Sequence, residues 1–83
     1  MPIHSYILVE VEPGQVRDVS RKIASIPGIS RACGVTGPYD VIAILEGDSI
    51  EELGKIVTTQ IQVLPGVRKT ITCLCTLCST DQV

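Results

Sequence analysis

The residues best suited to chemistry in this chain form a short polar segment, Gly37-Pro38-Tyr39-Asp40, between two apolar runs. Gly and Pro supply the backbone freedom and the fixed φ angle that a tight reversal needs, so the segment predicts a hairpin turn. A carboxylate at a rigid hairpin tip can bind an ammonium group, and adjacent loop amides can bind a carboxylate. Asp40 could equally hydrogen-bond nearby backbone amides. The segment therefore admits a site for the zwitterionic end of an α-amino acid or a purely structural turn.

Three threonines, Thr70, Thr72 and Thr76, recur on one side of the last apolar run. Threonine is a common β-branched strand residue, and we expect Thr76 to be no more than that. The hydroxyls of Thr70 and Thr72 could add hydrogen bonds to a small polar ligand held by the hairpin of a neighbouring subunit. This pattern favours a small polar ligand at a subunit junction.

Three of the four cysteines form a C-x-C-x-x-C motif, at Cys73, Cys75 and Cys78, and the fourth is Cys33. Tetrahedral zinc usually takes its ligands from C-x2-C pairs on turns, whereas these residues alternate on a predicted strand. Cys73 and Cys75 would then share one face and Cys78 would lie on the other. A disulfide framework is typical of secreted proteins, and nothing here indicates secretion. We predict no metal site and expect buried thiols that pack as small hydrophobic side chains.

Other catalytic signatures are missing from the sequence. His4 is the single histidine and has no evident acid to orient it, which excludes a Ser-His-Asp triad. The glycines are isolated in turns or at helix ends, so no P-loop or dinucleotide motif is present. The sequence predicts no catalytic residue and no cofactor.

Composition and charge limit the classes of protein that remain. A chain of 83 residues forms one small domain, which buries only roughly 60–65% of its unfolded surface. Its 27 Ile, Val and Leu residues exceed the needs of one such core, so another copy is expected to cover apolar surface. A net charge of −2 excludes a strongly basic nucleic-acid footprint. No membrane span or secretory signal is evident, which predicts a soluble, cytoplasmic protein.

The hydrophobic periodicity predicts six elements in the order β-α-β-β-α-β. The strands are expected at 3–11, 29–36, 41–46 and 67–78. One helix begins near Val16 and ends at Pro27-Gly28; the other begins at Asp48 or Ser49, carries the stripe Ile50, Leu53, Val57, Ile61 and Leu64, and ends at Pro65-Gly66. This order predicts an α+β, ferredoxin-like βαββαβ fold, a four-stranded antiparallel sheet with both helices on one face.

Residues 1–83 are expected to form a single domain with a core over about 3–77 and a C-terminal tail at 78–83. Strands one, three and four carry apolar residues on both alternations, although a half-buried antiparallel strand normally has one polar face. We therefore predict that the sheet face without helices packs against a partner subunit, in a dimeric α/β-barrel-like assembly.

Nearly the whole chain, from about Ile3 to Leu77, resembles the effector domain of the Lrp/AsnC transcription regulators. The motifs that carry this resemblance are Val35-Thr36-Gly37-Pro38-Tyr39-Asp40, Asp48, Leu64-Pro65-Gly66-Val67 and Thr70-x-Thr72. The resemblance implies a stand-alone, non-catalytic domain without the family's helix-turn-helix, which senses amino acids in transcription regulation or the control of amino-acid metabolism. It also implies homodimers that assemble further, commonly into octamers of four dimers, with the amino acid bound between dimers.

The same resemblance implies which residues line the ligand site: Gly37, Tyr39, Asp40, Thr70 and Thr72. Pro38 stands where many relatives carry a polar or acidic residue, and it removes one amide donor. Because no DNA-reading segment is present, the effector domain is expected to act through a partner. That partner would be a full-length Lrp/AsnC regulator in a mixed assembly, or a metabolic enzyme.

Other functions remain open on the same fold. An ACT-like regulatory subunit of a metabolic enzyme would bind its ligand at the turn Pro13-Gly14-Gln15 rather than at the hairpin. A small enzyme of the dimeric α/β-barrel kind would use His4 or Tyr6 in a sheet-lined cavity. A heavy-metal carrier would need a C-x-x-C motif near the first loop, which this chain lacks.

Overall fold

A computed structural model describes residues 2–77 of the chain. Its elements are, in chain order, β1 (Ile3–Val11), α1 (Val16–Ala24), β2 (Ile29–Gly34), β3 (Val41–Gly47), α2 (Ile50–Ile56) with a π-helical turn (Val57–Ile61), and β4 (Val67–Leu74). The strands form one sheet in the order β2-β3-β1-β4, and all three neighbouring pairs are antiparallel. The predicted ferredoxin-like βαββαβ fold is thus confirmed, with β2 and β4 at the edges of the sheet.

The core lies between the sheet and the two helices. Alternate residues of β1 and β3 turn inward and meet the apolar stripes of the helices. The sheet contributes Ile7, Val9, Val11, Val41, Ala43 and Leu45, and the helical segments with the turn after α1 contribute Val19, Ile23, Ile26, Leu53, Val57 and Ile61. Each fully buried Leu, Ile or Val side chain contributes roughly 1.5–3 kcal/mol, so this layer drives folding.

The opposite side of the sheet is also largely apolar. Cross-strand partners share a face, so the pairing of Tyr6 with Ile44 and Cys73 places these three side chains together, away from the helices. We call this surface the open face; its uncharged members are Tyr6, Leu8, Cys33, Ile42, Ile44, Ile71 and Cys73. The structure contains one chain, so coverage of the open face by a partner stays a prediction.

The start of α2 follows the predicted capping chemistry, and of the two candidates Ser49 is the N-cap. Its Oγ accepts a hydrogen bond from the Glu52 amide (3.0 Å), while Glu52 Oε1 accepts one from the Asp48 amide (2.8 Å). These contacts satisfy two amides at the start of the helix. The predicted stripe is wrong at its first position, because Ile50 is 61% exposed.

The π-helical turn was not predicted. Thr58 and Thr59 precede its end, and their hydroxyls donate to the carbonyls of Gly54 (3.0 Å) and Lys55 (2.6 Å). Such bonds compete with the regular backbone ladder of a helix. The wider turn brings both Val57 and Ile61 into the core, at a spacing of four residues.

Two strands are shorter than predicted. β2 ends at Gly34 rather than at residue 36, because the next amide, of Val35, turns across the hairpin and donates to the Asp40 carbonyl (2.9 Å). β4 ends at Leu74 rather than at residue 78, close to the first residues of its neighbour β1. Cys78 and the predicted tail, 78–83, lie outside the described residues.

The cysteines differ from the expected buried thiols. Cys33 is a half-buried free thiol and Cys73 an exposed one, because both lie on the open face, which the chain itself does not cover. Cys75 is disulfide-bonded. It follows the end of β4, where its amide donates to the His4 carbonyl (2.9 Å). Spacing alone therefore did not predict the chemical state of these residues.

Candidate functional site

The hairpin between β2 and β3 is held by backbone hydrogen bonds at its base. The Asp40 amide donates to the Val9 carbonyl (2.9 Å), which ties the hairpin to β1. Gly37 has a φ of +140°, a conformation that side chains disfavour, although a Cβ there would meet no atom within 4 Å. Glycine is therefore required for backbone conformation rather than for space. The result is a loop at one end of the sheet that is anchored at its base and exposed over residues 36–38.

Asp40 has a structural contact that the sequence left as one of two alternatives. Its Oδ2 accepts a hydrogen bond from the Val11 amide (2.8 Å) in a partly buried position. Val11 lies beyond the last residue of β1 that pairs with β3, so the carboxylate satisfies an amide that the sheet leaves open. Within residues 2–77 no hydrogen bond occupies Oδ1. One oxygen thus stabilises the fold while the other is available to an ammonium group.

Thr70 and Thr72 lie on the helix side of β4. Their cross-strand partners are Val9 and Ile7, which point into the core. The Thr70 hydroxyl accepts a hydrogen bond from Nε2 of Gln62 (3.0 Å). Gln62 was missed by the sequence reasoning, because a polar residue at the end of a predicted helix carries no signal of its own. The π-helical turn positions it: the Gln62 amide donates to the Val57 carbonyl (2.9 Å), five residues back.

Two adjoining clefts run beside β4, and Gln62 borders both. A cleft of about 230 Å³ is lined by Gln62, Val67, Arg68, Lys69 and Thr70. A second, of about 370 Å³, is lined by Ile50, Leu53, Gly54, Val57, Thr58, Gln62, Thr72 and Leu74. We call the two together the α2-β4 groove. Its polar groups include the hydroxyls of Thr70 and Thr72 and the side-chain amide of Gln62, which suit a small polar ligand.

Within a single chain, the hairpin and the α2-β4 groove are separate surfaces. Neither cleft contains Gly37, Tyr39 or Asp40. β1 separates β3 from β4 in the sheet, and the two threonines face the helices. The structure thus places the predicted site residues in two separate groups, three at the hairpin and two in the groove.

His4 has an acidic neighbour that the sequence did not reveal. Its Nδ1 lies 3.4 Å from Oε2 of Glu46, its cross-strand partner, and both side chains are about two-fifths exposed. The separation exceeds an ordinary hydrogen bond, so we describe the pair as a surface contact. Tyr6 follows on the open face two residues along β1.

Two clefts of about 470 and 420 Å³ open at the other end of the sheet, beside Gly28, Glu46 and Glu52, and contain none of the predicted site residues. In the described part of the chain, no three His, Cys, Asp or Glu side chains are grouped so that they could hold a metal ion. The same residues include no helix long and apolar enough to cross a membrane.

Residues 4–77 match the model of the Lrp/AsnC ligand binding domain. The chain belongs to this family. An uncharacterized HTH-type transcriptional regulator of Pyrococcus horikoshii, PH1916, is 31% identical to the domain over 71 residues. The alignment covers 82% of the chain and 47% of that regulator, so the chain spans about half the length of its curated relatives.

Solved structures agree with the fold of the domain. TTHA0845 from Thermus thermophilus superimposes with a TM-score of 0.89 at 32% identity, over 95% of this chain and 99% of that one. E. coli AsnC gives a TM-score of 0.89 at 17% identity, over 98% of this chain and 55% of that one. NMB0573 from Neisseria meningitidis, solved as a complex with L-Met, gives 0.82 at 13% identity, over 96% and 53%. The last two establish likeness of fold alone.

Proposed function

We propose that this domain is a non-catalytic effector module of transcription regulation or amino-acid metabolism, which binds a small amino acid at junctions between subunits. Membership of a ligand-binding domain family supports a regulatory role. The observation that carries the proposal is the separation of the hairpin from the α2-β4 groove. A small ligand that contacts both groups is held by two copies of the chain, so its binding changes the assembly.

Each group has a defined chemical task in this proposal. The free Oδ1 of Asp40 binds the ligand's ammonium group, and loop amides near Gly37 bind its carboxylate. Thr70 and Thr72 of a second copy bind the ligand's side chain. Gln62 holds the Thr70 hydroxyl in place through its 3.0 Å hydrogen bond. NMB0573 is a relative in fold whose structure contains L-Met, which supports an amino acid as the ligand class.

Assembly rests on two surfaces in this proposal. The open face pairs two copies into a dimer, and the hairpin of one dimer meets the α2-β4 groove of another, up to an octamer. In this proposal the domain acts in the cytoplasm through a protein partner; its net charge of −2 argues against direct binding to DNA. The partner is a full-length Lrp/AsnC regulator in mixed assemblies or a metabolic enzyme.

The decisive experiment measures mass in solution by light scattering, without ligand and then with each common amino acid, beside titration calorimetry. One amino acid should give heat and raise the mass from dimer towards octamer. Thr72→Val removes a groove hydroxyl at nearly constant volume and should abolish the response. Thr59→Val is the matched control, because that hydroxyl bonds its own helix at the Lys55 carbonyl (2.6 Å). Unchanged mass with no heat for every amino acid would refute the sensor.

A further inference from the structure

The open face carries charged residues at defined positions around its apolar centre. Lys69 pairs with Glu10 in the strand register, and His4 pairs with Glu46 at the opposite end of the face. Arg31, on the edge strand β2, is the cross-strand partner of Ile44 on the same face. Two basic side chains, Lys69 and Arg31, and two acidic ones, Glu10 and Glu46, therefore border this surface. A face with balanced charges can oppose a second copy of itself without net repulsion.

Arg31 has no acidic partner within the described chain. The ion pairs there are His4 with Glu46 and Glu12 with Arg68. Arg31 nevertheless lines an apolar depression of about 240 Å³ on the open face, together with Tyr6, Cys33, Val35, Ile42 and Ile44. Covering a guanidinium in such surroundings without a counter-charge is costly, because the charge loses its hydration. A chain that covers this depression must therefore supply an acceptor, and a carboxylate fits best.

We propose that Arg31 forms an ion pair with a carboxylate on the open face of a second copy, Glu10 or Glu46 of the partner subunit. The inference rests on the sheet-to-sheet dimer of the proposed function and adds the residue that decides which chains can pair. In a two-fold dimer the ion pair occurs twice, because each chain contributes its own Arg31 to one pair and its own carboxylate to the other. A relative with an acid at this position would be excluded from the dimer by electrostatic repulsion. We call this selection of partners by charge the charge code of the dimer.

The first test compares dimer dissociation by sedimentation equilibrium in a carboxylate-free buffer. Arg31→Glu should raise the dissociation constant of the dimer about a hundredfold, because each of the two symmetric ion pairs contributes a factor of about ten. Arg31→Lys should retain most of the affinity. Arg17→Glu makes the same charge change at an exposed position of α1, on the other side of the sheet from the open face, and should leave the dimer unchanged. Circular dichroism of each monomer checks that the fold is intact.

The second test identifies the partner carboxylate by mixing variants. Homodimers of the Arg31→Glu variant and of the Glu10→Arg variant each bring like charges together at this contact. In a mixed dimer, both contacts between positions 31 and 10 join opposite charges. If Glu10 is the partner, native mass spectrometry should find mainly the heterodimer. If Glu46 is the partner, Arg31→Glu should form the heterodimer with Glu46→Arg instead. Either result supports the charge code.

Three results overturn this inference. If Arg31→Glu dimerises with wild-type affinity, the ion pair is wrong while the sheet-to-sheet dimer stands; a free small carboxylate as the occupant of Arg31 would give this result. If neither mixture favours the heterodimer, the partner carboxylate is wrong. A wild-type chain that is monomeric at all concentrations removes the dimer itself and this inference with it, whereas calorimetric heat with an amino acid tests the sensor separately.

Discussion

Replacing Asp40 tests whether its carboxylate stabilises the fold as well as binding ligand. Asp40 Oδ2 accepts from the Val11 amide at 2.8 Å, and a hydrogen bond to a charged group contributes roughly 1.5–3 kcal/mol. Because the contact is only partly buried, we expect the lower part of that range. Asp40→Ala leaves the Val11 amide without its acceptor and should lower the free energy of unfolding by about 2 kcal/mol. Asp40→Asn keeps an oxygen acceptor and should cost about 0.5–1 kcal/mol.

The assay is urea unfolding followed by circular dichroism, with all variants at the same chain concentration because dimerisation adds to apparent stability. For a domain of this size, about 2 kcal/mol corresponds to a fall in melting temperature of about 8–16 °C. Asp18→Asn removes an equal charge from an exposed position in the first turn of α1 and should cost only the roughly 0.3–1 kcal/mol that an acid contributes near a helix N-terminus. Equal stability of Asp40→Ala and wild type would refute the structural role of the Val11 contact.

Asp40→Asn also separates the structural role of this residue from its proposed role in ligand binding. It largely preserves the hairpin but removes the negative charge that would bind an ammonium group. Calorimetry on this variant should therefore show no amino-acid binding, although its fold remains intact. A ligand response as strong as that of the wild type would leave Asp40 as a structural residue only.

Other predictions concern helix capping, backbone conformation and the core. Ser49→Ala removes the N-cap of α2 and should cost about 1 kcal/mol in urea unfolding, whereas Ser20→Ala on exposed α1 should be nearly neutral. Gly66→Ala should destabilise the fold by more than about 1 kcal/mol, because φ at Gly66 is +96° and a Cβ would lie 3.1 Å from a neighbouring side chain. Gly54→Ala should instead stabilise the fold by roughly 0.5–1 kcal/mol, because a Cβ on this residue of α2 would meet no atom. The Leu45 side chain is fully buried, so Leu45→Ala should lower the free energy of unfolding by about 2–5 kcal/mol. The melting temperature should fall with it.

Much of the fold could be predicted because local signals agree with the tertiary structure. Pro-Gly pairs follow both helices, alternation marks β1 over Ile3–Val11 as predicted, and the six elements occur in the expected order. The errors lie where a segment depends on distant partners. β2 ends early because the hairpin turns there, and β4 ends close to the first residues of β1, its neighbour in the sheet. The π-helical turn reflects side-chain hydrogen bonds that periodicity does not encode.

The candidate site was less accessible to sequence reasoning. Residue types picked out the hairpin and the threonines, but the hydrogen bond from Gln62 to Thr70 and the contact between His4 and Glu46 join residues that are apart in sequence. No periodic pattern carries such contacts, since they depend on how helix and strand meet. The pairing of His4 with Glu46 also needs the register of β1 against β3, which one residue of slippage would change.

The element order, most of the core stripes and the motifs of the family could be read without a structure, because each depends on local chemistry or on periodicity. The hydrogen bond from the Val11 amide to Asp40, and the separation of the hairpin from the groove, became evident only in the folded chain. The same holds for Arg31, which stands without an acidic neighbour on the open face of the described chain. These facts arise from strand order and register, which place side chains that are distant in sequence on one face, or on opposite ones.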